Sequence, residues 1–412
     1  MNWRRLIIYG VTILACASLA VGCWNRREPE NIAYVLGLGF DYDKKTRLYK
    51  AYAQFSNPKG AGAGASNPSQ GGKGSPPQAA WTTWAHGTTP YEAIFNLVPL
   101  VSRQLSGSHV AIVAISEELA RSGIGPVLDV FERERALRIT TRPVVVKGDL
   151  ENLFMADLPL EEITSLGISR ELSVARLQRS IVPAKYLTEI IDTLAQPGKE
   201  PLIPKIEVFE TKAQSQGEPK EGGNQNRNPS PPMKLAGGAV FRGDKMVGWM
   251  NEREIRGWCW VAGRSFRAVL SLQEPEYESG EHITVVIHQA SSQLKAVVDG
   301  DDIRYELKLL VDGRVEDLTG PLDLLGSPEI IASINRRVAA VIRNDIEMAL
   351  SRAQALNADV FGLGWLLYRT RYKDWLRVQD RWNEVFPQVS LKLDIRADIR
   401  RVGQISRTGT IR

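Results

Sequence analysis

The first 22 residues of the chain decide where the rest of it must fold. Arg4 and Arg5 give a short positive head, and an apolar run follows over 6–20, broken mildly by Tyr9, Gly10, Thr12 and Ser18. The run is shorter than the ~20 apolar residues that cross a bilayer comfortably. Positive head, apolar middle and small residues at the end make a secretory signal. The chain has three cysteines: Cys16 lies inside the signal, Cys23 stands at its end, and Cys259 remains. A lone cysteine closes no internal disulfide, and metal clusters of the CxxC kind are absent. An exported chain of 412 residues must therefore be held by core burial, for which 43% hydrophobic residues suffice. That length predicts about two or three domains.

The small residues Ala20-Val21-Gly22 run directly into Cys23. A cysteine in that place resembles the lipobox of bacterial lipoproteins, in which the thiol receives a diacylglyceryl group and cleavage leaves it as the first residue. Each buried CH₂ contributes ~0.8 kcal/mol, so two acyl chains anchor stably where one anchors marginally. Two features depart from the pattern. Ala20 stands where the lipobox prefers Leu, and Ile13-Leu14-Ala15-Cys16 is a rival, also imperfect. An ordinary signal peptide with an incidental Cys23, or an uncleaved anchor, are the alternatives.

Formal net charge is +5, of which Arg4 and Arg5 supply two. So mild an excess does not predict a nucleic-acid partner, which needs a concentrated basic face. Two low-complexity stretches punctuate the chain. The insertion at 57–80, rich in Gly, Ala, Ser and Pro, reads as a flexible loop inside a domain, because strand-like sequence flanks it. The second, 213–233, reads as a flexible linker. The resulting division is a lipoprotein signal over 1–22, an N-terminal α/β region over 23–212, the linker, a C-terminal α+β region over 234–405, and a tail over 406–412. The alternative makes 234–265 part of a separate middle domain.

Hydrophobic alternation predicts strands at 32–41, 48–55, 109–115 and 143–147. Thr89-Pro90-Tyr91-Glu92 predicts a helix start, with Thr as cap, Pro in the first helical position and Glu reaching back. Pro99 kinks that helix or marks a second short one. Helical sequence is expected through 128–135 and again near 184–194. In the C-terminal region, 283–288, 294–298 and 303–311 read as three strands, with turns at Asp299-Gly300 and Asp312-Gly313. Ser327-Pro328-Glu329 starts a long helix whose Ile331, Ile334, Val338, Val341 and Ile342 form an apolar stripe. Phe361, Trp365, Tyr368, Tyr372, Trp375, Trp382 and Phe386 follow at near-helical spacing, ended by Pro387. The last strand alternates cleanly: Val389, Leu391, Leu393, Ile395, Ala397 and Ile399 face one way and charged residues the other, so it is half buried in an antiparallel or mixed sheet.

Chemistry is hard to find. The four histidines, His86, His109, His282 and His288, fit no metal spacing, although His282 and His288 flank one predicted strand. No GxSxG elbow or GxxxxGK[ST] loop is present, and Gly37-Leu38-Gly39 sits within a strand. Cys259, between Trp258 and Trp260, reads as a small buried hydrophobe rather than a nucleophile. Nothing singles out a carboxylate pair. The sequence thus predicts no catalytic, metal or cofactor-binding residues. The aromatic stripe reads as packing against the C-terminal sheet, with a groove for a peptide or helix as the functional alternative. Arg396, Arg400, Arg401, Arg407 and Arg412 read as a solvated face, or as a match for anionic headgroups or an acidic partner.

Four stretches together resemble the Ger(x)C family, the lipoprotein C subunits of spore germinant receptors. They are Gly22-Cys23-Trp24-Asn25-Arg26-Arg27-Glu28 with the following AYVLGLGFDYD; 109–148; 239–263; and the C-terminal NADVFGLGWLLYRTRYKDW…SLKLDIRADIRRVG. They span the mature chain in the family's order. Asn25 replaces the usual Asp, and the insertion at 57–80 is longer than typical. The Trp24 to Glu28 sequence favours Cys23 over Cys16. The resemblance implies an α+β protein of three small domains, with mixed or antiparallel sheets and packed helices. It implies a tether through Cys23 to the outer face of the spore inner membrane, and A and B membrane subunits of a germinant receptor as partners. It implies no catalytic residues, and direct binding of the germinant is not expected. The rival classes are an exported lipid-anchored hydrolase and a small-molecule-binding lipoprotein.

Overall fold

The computed structural model describes residues 3–4, 7–12, 29–57, 79–156, 158, 160–178, 180–209, 233–263, 267–273, 282–300, 302–318 and 328–402. Cys16, Cys23 and the Trp24 to Glu28 motif lie outside them, as do most of the insertion, the stretch 213–232 and the tail. Among the described residues no helix is long and apolar enough to cross a membrane.

The fold is α+β, built on two sheets. In the first part of the chain, β1 (Ile32–Asp43), β2 (Leu48–Ser56) and β3 (Ala80–Gly87) form an antiparallel meander. Helix α1 (Pro90–Phe95) begins as its sequence predicts: the Thr89 side chain accepts from the amide of Glu92, while the Glu92 carboxylate accepts from the amide of Thr88 at 2.6 Å. A separate 3-10 turn at Val98–Leu100 forms around Pro99. Then come β4 (Gln104–Ser106), β5 (Ile112–Ser116), α2 (Glu117–Ser122), α3 (Gly125–Arg133) and β6 (Arg142–Lys147). Next are α4 (Leu150–Met155), α5 (Thr164–Gln178), α6 (Leu187–Leu194) and β7 (Leu202–Val208). Strands β1, β5, β6 and β7 run parallel, with β4 pairing beside the start of β1.

The sheet continues past the stretch read as a linker. Strand β8 (Met233–Arg242) pairs antiparallel with β7, and β9 (Lys245–Met250) with β8. Residues 213–232 therefore join two neighbouring strands of one sheet. Both faces of this sheet are covered. Ala93, Leu97, Leu119, Val127, Phe131 and Leu187 pack on one, and Leu150, Leu153, Phe154, Ile168 and Leu172 on the other.

Helix α7 (Glu252–Val261) leads to the second sheet of β10 (Ala268–Gln273), β11 (His282–Asp299), β12 (Asp302–Leu318) and β13 (Ser390–Val402). The sheet is mixed: β10 to β12 are antiparallel, and β13 pairs parallel with β12. Helix α8 (Pro328–Ala355) lays its apolar stripe, Ile334, Val338, Ile342 and Ile346, on the sheet's inner face. The expected strands at 283–288 and 294–298 are one strand, β11. The expected turn at Asp312-Gly313 lies inside β12, opposite a bulge between Ile287 and Gln289. Glycine serves there for close approach, because a Cβ at 313 would sit 2.7 Å from the Val286 carbonyl oxygen. The turn at Asp299-Gly300 forms, with Gly300 at φ +62.

The aromatic run is not one helix. It divides into α9 (Leu363–Thr370), α10 (Tyr372–Val378) and α11 (Trp382–Val385), joined by tight turns. A straight helix rises 1.5 Å per residue and would carry Trp365 and Phe386 about 30 Å apart. The breaks bring Trp375, Trp382 and Phe386 into one core, with Phe361 and Tyr368 packed against it, and leave Tyr372 exposed.

Candidate functional site

The structure scatters the residues that sequence reasoning considered for chemistry. His86 is exposed on β3, and His109 is exposed in the turn between β4 and β5. His109 accepts or donates to the Ser108 hydroxyl through Nδ1 at 2.9 Å and meets the Tyr34 ring edge-on at 5.0 Å. His282 opens β11 and His288 sits at its bulge, six residues and ~20 Å along the strand. Among the described residues no group of three or more His, Cys, Asp or Glu is placed to hold a metal ion. Cys259 is buried in α7 with Trp258 and Trp260. Gly37 and Gly39 lie mid-strand in β1. Arg396 is exposed on β13; Arg407 and Arg412 fall outside the described residues.

The buried part of the aromatic stripe is structural, while Tyr372 is 54% exposed. Trp375, Trp382 and Phe386 are buried, with ring centroids 5.6 Å apart for the first pair and 6.3 Å for the second. Trp365 stacks on Tyr368 at 5.0 Å. Their cluster includes Leu202, Val240 and Met250 from the first sheet, Ile303 and Tyr305 from the second, and Val389 just before β13. The stripe thus fills the joint between the two sheets, where burying a large aromatic is worth ~3–5 kcal/mol against Ala.

That joint holds polar features the sequence did not reveal. Asp359 is buried, and its carboxylate accepts the amides of Gly362 (2.8 Å), Leu363 (3.1 Å) and Gly364 (2.8 Å), capping α9. Burial pushes this carboxyl up to about 7, against the pull of those three amides. Tyr305 donates its hydroxyl to the Leu363 carbonyl at 2.9 Å, and burial raises its pKa as well. Beside it, α7 crosses α8 closely enough that a Cβ on Gly257 would lie 2.0 Å from the Asp345 carbonyl oxygen. Arg256 of α7 donates to both carboxylate oxygens of the fully buried Asp345, and Arg253 stands 3.6 Å off. A signal for Asp359 did exist: an Asp three residues before a Gly-x-Gly pair and an apolar helix is a capping pattern. The partner of Asp345 is 89 residues away in sequence and carries no local signal.

One open groove of about 520 Å³ lies along this crossing, lined by Glu254, Asn344, Glu347, Met348, Ser351, Arg352 and Ala355. Its Arg352 is held by the Trp249 carbonyl at 3.0 Å, and Glu254 is engaged at the start of α7 by the amide of Asn251. Small-molecule sites are typically concave and mostly apolar with a few converging polar groups. This groove is shallow, and two of its polar side chains already serve the fold.

Comparison with known proteins bears on the whole chain. Residues 25–208 match the spore germination protein N-terminal domain, and residues 236–403 match the spore germination B3/GerAC-like C-terminal domain. The first match begins two residues after Cys23. Spore germination protein KC of Bacillus subtilis (strain 168) is 24% identical over 407 residues, covering 97% of this chain and 96% of that protein. Spore germination protein B3 of the same organism is 22% identical over 391 residues, covering 94% and 95%. The crystal structure of the GerBC protein superposes with a TM-score of 0.56 at 16% identity, covering 89% of this chain and 97% of that one.

Proposed function

Because the chain belongs to the GerAC family of spore germination proteins, we propose that it is the non-catalytic lipoprotein subunit of a nutrient germinant receptor at the spore inner membrane. The observation that carries this reading is the order and extent of the two family matches, which leave only residues 1–24, 209–235 and 404–412 uncovered. The N-terminal signal supports export, and Cys23, two residues ahead of the first match, supplies the thiol for a lipid.

The mechanism this supports is positional. Two acyl chains hold Cys23 in the outer face of the membrane. A tether of that kind confines the folded part next to membrane-embedded A and B subunits and raises the effective concentration of the docking surface to roughly millimolar. The aromatic joint and the Arg256–Asp345 tie couple the two sheets, so a contact made by one lobe is carried by the other. Nutrient recognition is assigned to the membrane subunits.

Fractionation and mass spectrometry test the anchor. The mature chain should pellet with membranes and carry a diacylglyceryl adduct on Cys23, and Cys23→Ala should appear in the soluble fraction. An unmodified Cys23 in a membrane-retained chain would contradict the lipoprotein reading.

A further inference from the structure

One end of the first sheet collects exposed apolar side chains. Ile32 at the start of β1 pairs with Gln104 of β4, and Val35 pairs with Phe55 near the end of β2. Phe55 in turn pairs with Trp81 at the start of β3. The starts of β1, β3, β4, β5 and β6 and the finish of β2 therefore share this end.

Trp81 is 45% exposed and rests on the buried Phe55 ring at 5.5 Å, a rigid seat for a large side chain. The turn Val98-Pro99-Leu100, four residues before β4, exposes Val98 and Leu100. Ile139, just before β6, is exposed too, next to a Leu137 so close to Gly107 that a Cβ there would meet it at 2.5 Å. Trp81 on β3 and Ile139 before β6 stand four strands apart, roughly 19 Å at the usual strand spacing, so they are separate points of one end. Arg103, Arg135 and Arg138 lie in the same connections, and none forms an ion pair among the described residues. Glu30, just before β1, and Glu132 and Glu134 lie at the same end and offset that charge. The insertion leaves at Asn57 and returns at Ala79, whose carbonyl accepts from the Asn57 amide at 2.8 Å.

The chain length identifies what covers this end. Cys23 is six residues from Pro29, where the first turn before β1 begins. Six residues reach at most ~20 Å. A lipid on Cys23 thus holds Pro29, three residues ahead of the start of β1, within that distance of the bilayer, and the exposed apolar residues stand at the same end of the sheet. Tryptophan favours the headgroup level, and arginine complements an anionic leaflet.

We infer that this end of the first sheet, through Trp81, Leu100 and Ile139, lies directly on an anionic lipid surface, so that the lobe is seated against the membrane and not merely tethered to it. The inference rests on the reading of Cys23 as lipidated. The test uses the full lipidated chain in vesicles of phosphatidylglycerol and phosphatidylcholine whose acyl chains carry bromine. The difference in emission between the native chain and Trp81→Phe reports Trp81 alone. That difference should be quenched, more by bromines near the carbonyls than by deep ones. Ile139→Cys carrying a bromine-quenched fluorophore gives a second reading, with the native Cys259 buried. If mass spectrometry shows lipid on Cys23 while both probes stay unquenched, the seating is wrong and the anchor stands. The same result with protection appearing only in the assembled receptor assigns this end to a protein partner and also overturns the inference. A bare Cys23 removes the anchor reading itself.

Discussion

Arg256 grips Asp345 with two hydrogen bonds, 2.6 Å from Nε and 3.0 Å from Nη2, and so ties the helix that closes the first sheet to the long helix over the second. Asp345 is fully buried, while Arg256 is 17% exposed and Arg253, the nearby third charge, 54% exposed. Removing one member of a buried pair leaves the other charge uncompensated. Arg256→Met should destabilise the chain by ~3 kcal/mol, whereas Arg253→Met should cost under ~1 kcal/mol. Denaturant unfolding of the two variants checks the ratio.

The same crossing explains Gly257. With 2.0 Å available between a would-be Cβ and the Asp345 carbonyl oxygen, the two helices must separate to admit any side chain. Gly257→Ala should cost ~3 kcal/mol or more, the upper range for overpacking. A midpoint unchanged from the native chain would mean that the helices do not cross this closely.

Asp359 makes stability depend on pH. Its folded pKa of about 7 lies above the ordinary 3.8, so between those values the folded state binds a proton that the unfolded state does not. The contribution is full below the unfolded value and is lost as pH rises through the folded one. Unfolding free energy should therefore fall between about pH 4 and 7, by up to ~1.4 kcal/mol per unit for this one group. Asp359→Asn keeps an oxygen for the amides of Gly362 and Leu363 and should flatten the slope. Titration of unfolding midpoints for both chains checks it.

The groove between α7 and α8 separates a receptor accessory subunit from a nutrient-binding lipoprotein. Ser351→Trp would fill it from an exposed position. Nutrient dose–response curves of spores carrying this variant should match the native ones. A shifted half-maximal dose would place nutrient recognition in this chain.

Local patterns were readable and pairings across long separations were not. The alternation of Val389 to Ile399 marks β13, because one face meets α8 and the other water. Thr89, Pro90 and Glu92 mark a helix start through contacts three or four residues long. By contrast, nothing near Leu202 or Val240 says that they pair across the intervening low-complexity stretch. Asp312-Gly313 has turn composition, yet its place opposite the β11 bulge is set by a neighbouring strand. The aromatic residues from Trp365 to Phe386 announce a buried face but not the breaks that gather it, since those depend on the shape of the joint. The capping carboxylate of Asp359 was within reach of sequence; the grip of Arg256 on Asp345 was not. Cys23 was singled out by the signal preceding it and the family motif following it.

Whether the chain acts in nutrient germination from a lipid anchor is measured most directly by the germination kinetics of spores carrying Cys23→Ala. Such spores should respond to their nutrient as slowly as spores lacking the chain, while a trigger that bypasses nutrient receptors works normally. Native nutrient germination with the variant protein found in the soluble fraction would contradict it.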